Sequence, residues 1–163
     1  MTVFIGIDPG AVSGAIAAID ERGRYVGVFD MPTVATSKTA TVKSQVNPLA
    51  LSAILIGLKE RGDAVLVAIE RVASRPGQGV ASTFGFGDSC GCIRAVVALR
   101  LIPCEFVTPQ AWKRPYGLDS DKELARAKAI QLFPEAAQFL ARKKDTGRAE
   151  ALLLAEFLRR KLS

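Results

Sequence analysis

The chain of 163 residues contains no histidine. That absence removes Ser-His-Asp and Cys-His nucleophilic catalysis, histidine-ligated metal nucleases and the usual imidazole acid-base chemistry. Any hydrolysis must therefore rely on carboxylates, lysines and metal ions. Cysteine is scarce. Cys90, Cys92 and Cys104 cannot all pair, and a Cys-x-Cys beside a lone third cysteine lacks zinc-site spacing, so buried, reduced thiols are expected. No apolar run approaches the roughly eighteen residues of a membrane span, and the opening MTVFIGID has neither a basic leader nor a small-residue cleavage site. The expectation is a cytoplasmic protein with no membrane partner. Internal repeats and low-complexity tracts are lacking as well.

With 49% hydrophobic residues the chain can bury one substantial core and is short for two, so residues 1–163 are expected to form one domain. The net charge is +6 and the pI about 9.5, which favours a polyanionic partner. The basic residues gather towards the end: Arg142, Lys143, Lys144, Arg148, Arg159, Arg160 and Lys161 surround Asp145, Glu150 and Glu156. Those carboxylates sit in a basic field.

Hydrophobic patterning gives the order of elements. Val3, Ile5 and Ile7 alternate up to Asp8-Pro9-Gly10, a stop signal, so a strand ends at Asp8. Apolar runs 14–20 and 25–30 bracket Glu21-Arg22-Gly23-Arg24 as in a hairpin. Residues 31–48 have no helical period and are expected to form an exposed loop or mobile hairpin, carrying Lys38 and Lys43. Pro48 then starts an amphipathic helix that Gly62 ends. Residues 64–69 are continuously apolar, as in a central strand covered on both faces, and end on Glu70. A glycine-rich stretch, 75–91, leads into a helix over 93–99; a strand over 101–107 and helices over 121–133 and 148–161 complete the chain. The order βββαβαβα, closed by one further helix, predicts an α/β fold of RNase H-like, retroviral-integrase type: a mixed five-stranded sheet with helices on both faces.

Two-metal phosphodiester hydrolysis uses one ion to acidify the attacking water and another, about 3.5–4 Å away, to stabilise the leaving oxygen. Mg²⁺ takes hard oxygen ligands, so several carboxylates must converge from separate elements. Asp8 and Glu70 end strands that are neighbours if the two pair, and sites in such sheets gather where strands end. Taken alone, Asp8 also suits a turn before Pro-Gly. A carboxylate closing six apolar residues needs a partner, and for Glu70 an ion pair with Arg71 or Arg75 is the structural alternative.

Gly6-Ile7-Asp8-Pro9-Gly10 followed by Gly14-Ala15-Ile16-Ala17, then Ala68-Ile69-Glu70, then residues 145–155 (DTGRAEALLLA) resemble the ordered signatures of RuvC-type Holliday-junction resolvases. The similarity spans most of the chain, and Thr108-Pro109-Gln110-Ala111-Trp112-Lys113 with its following Lys-Glu helix is most like the compact versions carried by bacterial viruses. The resemblance implies an endonuclease that cuts branched DNA, a homodimer, and Asp8, Glu70, Asp145 and Glu150 holding two Mg²⁺ ions, or Mn²⁺ in their place, with no small-molecule cofactor. It also implies a phosphate-facing role for Lys113. One departure stands out. Where the family often has an acid or histidine three residues before the last acid, this chain has Gly147. Asp145 lies five before Glu150, about 140° away around an ideal helix, so it shares the site only from a frayed start or an N-cap position; a plain helix cap is the alternative.

Candidate DNA-binding residues are Lys38, Lys43, Arg75, Lys113, Arg114, Lys143, Lys144 and Arg148, with Phe84 or Phe86 as a wedge in a flexible glycine-bearing segment. Both Phe residues suit a core equally. The helix bearing Cys90, Ile93, Val96 and Val97 is the candidate dimer interface, with a core-facing role as its rival. Gly6-Ile7-Asp8-Pro9-Gly10 also resembles the phosphate hairpin of sugar kinases and actin-like ATPases, which need two such domains. A non-cutting branched-DNA-binding protein and an RNA-processing nuclease remain as alternatives.

Overall fold

The structure, a computed structural model, describes residues 1–36, 44–74 and 76–163. The strands β1 (Thr2–Asp8), β2 (Ala15–Asp20) and β3 (Tyr25–Asp30) form an antiparallel meander, while β6 (Ala64–Glu70) lies parallel beside β1 and β7 (Cys104–Val107) parallel beside β6. The sheet order β3-β2-β1-β6-β7 gives the expected five strands in a mixed arrangement. The arms of the 31–48 segment, β4 (Thr33–Ala35) and β5 (Ser44–Val46), pair as a separate antiparallel ribbon. Lys38, Lys43 and Arg75 lie outside the described residues.

Helices cover both faces because alternate strand residues are apolar on both sides. From β1, Val3, Ile5 and Ile7 join a core with Leu51 and Leu55 of α1 (Pro48–Lys59) and Ile93 and Val97 of α2 (Val80–Leu99). On the opposite face Phe4 joins Ala68 of β6, Trp112 of α3 (Pro109–Lys113), Ala129 of α4 (Lys122–Leu132) and the buried run of α5 (Thr146–Leu162). Even-numbered residues of β1 and β6 therefore face α5. Asp8 and Glu70 continue that parity, one step beyond the paired Ile7 and Ile69.

The contact between α5 and β1 is backbone to backbone. A Cβ added at Gly6 would stand 2.0 Å from the carbonyl oxygen of Ala151 and 2.7 Å from the amide nitrogen of Ala155. One at Gly147 would stand 1.9 Å from the carbonyl oxygen of Ser13. The stripe Gly147, Ala151, Ala155, one residue per turn, is what permits this approach.

Four expectations are corrected. The helix expected over 93–99 begins at Val80, so Phe84 to Gly87 are helical; Gly85, Gly87 and Gly91 weaken the local signal by about 1 kcal/mol each, but buried Ile93, Val96 and Val97 fix the element through packing. Those same three residues fill the chain's own core, so they cannot form a dimer interface. The last strand starts at Cys104 and not at 101, because Leu101 has a left-handed φ of 53° and Pro103 has no amide hydrogen for the ladder. The cysteines are unpaired as expected but not buried: Cys90 and Cys92 are half-buried on α2 and Cys104 is exposed.

The Gly6 contact leads to a contrast. Gly6→Ala should lose more than about 3 kcal/mol or fail to fold, since only backbone atoms meet the added methyl. At Gly57, in α1, nothing lies within 4 Å of an added Cβ, and Gly57→Ala should gain roughly 0.5–1 kcal/mol. Urea unfolding of both checks this; a near-neutral Gly6→Ala would contradict the described approach of α5 to β1.

Candidate active site

Three acids from three elements meet at one end of the sheet. Asp8 closes β1, Glu70 closes β6, and Glu150 lies three residues after Gly147 on α5. Their mutual influence is visible in the carboxyl of Asp8. Burial first, then the charges of Glu150 and Glu70, push it well above the usual carboxylate range, with Lys122 and Lys113 opposing. Glu70 is raised by burial, and its hydrogen bond from Trp112 counters the shift. Oδ2 of Asp8 is also 3.2 Å from where a Gly147 Cβ would be, so a side chain at 147 would crowd Asp8 directly.

Cations and one indole attend the acids. Lys113 Nζ is 3.4 Å from Glu150 Oε1 and 5.3 Å from the Trp112 ring centroid. Trp112 Nε1 donates to Glu70 Oε1 at 2.9 Å. Glu70 is thus held by an indole N–H; among the described residues no ion pair joins it to Arg71, and Arg75, the other partner of that alternative, lies outside them. Lys113 ends α3, because Thr108 caps the helix and Pro109 opens it. Lys122, exposed at the first position of α4, was missed. A lysine at the end of a helix disfavoured by the macrodipole was the available signal.

Asp145 is not brought to the other acids. Its carboxylate accepts from the backbone amide of Arg142 at 2.9 Å and from that residue's guanidinium at 2.8 Å, with Arg148 at 3.9 Å, and these contacts hold it below the usual carboxylate range. It occupies the N-cap position of α5 without accepting a capping bond from that helix. The fourth expected ligand is satisfied by arginine, and position 147, where the resemblance would put an acid, is closed to a side chain by the Ser13 carbonyl. Arg148 is also committed, with a two-bond pairing to Asp30 at 2.6 and 2.7 Å and a third bond to the Phe139 carbonyl.

Of the other expected DNA-binding residues, Arg114, Lys143 and Lys144 are exposed. Phe84 is 74% exposed, while Phe86 is part-buried. Phe86 is a shared wall of three adjoining clefts. One, of about 480 Å³, reaches Glu70, Cys90 and Arg94. Another, of about 700 Å³, runs along Arg71 and Gln110, and the third, of about 590 Å³, along Gly10 and Ser89. A groove therefore leads from the acids along α2.

No family model matches the chain, and no curated protein matches it. Solved structures do. Thermus thermophilus RuvC in complex with a Holliday junction substrate is similar at a TM-score of 0.64 and 17% identity, over 99% of this chain and 96% of that one. A further Thermus thermophilus RuvC structure is similar at 0.53 and 14%, over 98% and 96%. The yeast mitochondrial Holliday junction resolvase Ydc2 is similar at 0.50 and 17%, over 96% and 77%. At these identities the likeness establishes the fold, the expected RNase H-like sheet with its helices.

The raised carboxyl of Asp8 sets a stability prediction for the metal-free protein. The folded state binds this proton more tightly than the unfolded chain, so stability falls as pH rises from the ordinary carboxylate value through the raised one. Asp8→Asn should therefore melt higher than the wild type in EDTA at mildly alkaline pH, by roughly 2–4 °C per kcal/mol relieved, and the gain should vanish in acid. Thermal melts across pH check this; equal melting at alkaline pH would remove the claimed repulsion.

Proposed function

We propose that this chain is a metal-dependent endonuclease that cuts branched DNA, four-way junctions foremost, with Asp8, Glu70 and Glu150 as its metal-binding acids. The observation that carries the proposal is the convergence of these carboxylates, with Asp8 and Glu70 raised in proton affinity by burial and by the neighbouring acid charges, in a histidine-free basic chain of the fold shared with RuvC. The donor set is entirely hard oxygen, which fits Mg²⁺ or Mn²⁺. Among the described residues no three acidic or thiol groups are close enough to enclose one ion, so a bound ion would need water to complete its shell. When bound, two such ions supply an activated water and charge stabilisation at the leaving oxygen.

The chain's own residues do the remaining work. Lys113, beside Glu150, presents a fixed positive charge to the reacting phosphate. Exposed Arg114, Lys143 and Lys144, with Lys38, Lys43 and Arg75, bind the DNA backbone through charge. Phe84, exposed on α2, is the better-placed wedge for an opened base step. Symmetric cutting requires two sites related by a twofold axis, hence a homodimer. With Ile93, Val96 and Val97 internal, the exposed residues of α2 beyond Phe84, Asp88, Ala95 and Leu99 among them, take over as its contact. Among the described residues no helix is long and apolar enough to cross a membrane, and a cytoplasmic location belongs to the proposal. A non-cutting junction-binding protein is the second reading, favoured by the arginine-bound state of Asp145.

One experiment separates them. Cleavage of a four-way junction, a flap, a linear duplex and an RNA-containing duplex should need Mg²⁺ or Mn²⁺, stop in EDTA, and be fastest on branched DNA. Asp8→Asn and Glu70→Gln should lose cutting while still shifting the junction in a gel, because the exposed cations are untouched. Undiminished cutting by either variant refutes the mechanism, and a wild type that binds junctions without cutting them supports the second reading.

A further inference from the structure

Trp112 is among the largest fully buried side chains, 1% exposed, and it is the chain's one tryptophan. A buried indole has a single N–H and must find an acceptor for it. In an ordinary core that acceptor is a backbone carbonyl, of which α3 and the surrounding strands offer many. Here it is Oε1 of Glu70, an acid from an element 42 residues away in sequence. Among the described residues Trp112 is the only hydrogen-bond donor to that carboxylate, and Oε2 has none.

The mount of the indole is stiff. Thr108 accepts from the Ala111 amide and Pro109 opens the helix, while the Arg71 amide donates to the Val107 carbonyl at 2.7 Å, tying the segment after β6 to the strand that leads into α3. A flexible glutamate at a sheet rim has several rotamers. An indole wedged in the core and bonded to one of its oxygens selects among them.

We propose that Trp112 is a positioning residue: its indole N–H fixes Oε1 of Glu70 so that Oε2 is left to a divalent cation. The inference rests on the metal-binding reading of Glu70. It assigns Trp112 a role that a core-filling residue lacks, since a filler could be replaced by another ring without change at the metal.

The test uses the full chain as wild type, Trp112→Phe and Glu70→Gln, with Mn²⁺ as the probe. Mn²⁺ binding is read by electron paramagnetic resonance, and the lone tryptophan by its fluorescence, which paramagnetic Mn²⁺ quenches at short range. Wild-type fluorescence should fall with the same midpoint as Mn²⁺ binding, and Glu70→Gln should lose that response. Trp112→Phe, with its fold checked by circular dichroism, should bind Mn²⁺ about ten- to a hundredfold more weakly, as loss of an outer-shell partner does. Mn²⁺ binding of wild-type strength in Trp112→Phe overturns the inference and leaves the metal reading intact. So does wild-type fluorescence that stays constant while Mn²⁺ binds, a result that does not depend on the variant folding. A wild type that binds no Mn²⁺ overturns both.

Discussion

The backbone of α5 rests on the backbone of β1, and the site exists because of that contact. Gly6 on the strand meets the helix backbone at Ala151 and Ala155, and Gly147 on the helix meets the Ser13 carbonyl beyond the strand, both closer than any larger side chain permits. Close packing leaves no slack to absorb even one methyl at such a place. The depth of the helix then sets the position of Glu150, which follows Gly147 by three residues and so shares its side of the helix. Strand parity does the same for the other acids, since Asp8 and Glu70 continue the even-numbered face that α5 covers. The three carboxylates are assembled by apolar packing, against their own repulsion.

Much of this was legible in the sequence, and the parts that were not have physical reasons. Alternation in β1 and the unbroken apolar run of β6 gave the sheet and placed Asp8 and Glu70 at adjacent strand ends. The first half of α2 was hidden because its glycines contradict helix propensity, while the packing that overrides propensity is long-range. Gly147 read as an unfilled ligand position; its actual reason, the Ser13 carbonyl, lies in a loop that no local pattern connects to it. Asp145 was legible as an acid near a helix start, but its pairing with Arg142, away from the other three acids, depends on turn geometry between the two. The bond between Trp112 and Glu70 links residues with no sequence relation at all.

Net charge was the least direct guide. Several of the cations that make the chain basic are internal fittings: Arg148 on Asp30, Arg142 on Asp145, and Arg159 and Arg160 both on Glu156. Arg148 and Asp30 join the start of α5 to the end of β3 through a planar two-bond pairing, which fixes orientation as well as distance. Partly exposed pairs of this kind contribute only modestly to stability, so orientation of the helix is their stronger effect. The positive field left for a polyanion comes from residues without such partners, Arg114, Lys143 and Lys144 among those described.

The short helix α3 resolves how a site built from repelling acids stays ordered. Consecutive residues on a helix point about 100° apart, so Trp112 and Lys113 reach in different directions from one rigid base. One holds Glu70 of β6 and the other faces Glu150 of α5. Two of the three acids are thereby referenced to the same five residues, while the third, Asp8, is carried by the strand backbone itself. The neutral indole fixes Glu70 without spending its charge, whereas the ammonium partly neutralises Glu150 and must share it with any arriving cation. A proton on Asp8 and an ammonium on Glu150 are then alternative answers to the same excess of negative charge, and under the proposed function a divalent cation would replace both. The acids are held together at the cost of their own repulsion, and on the proposed reading that repulsion is what a bound cation would relieve.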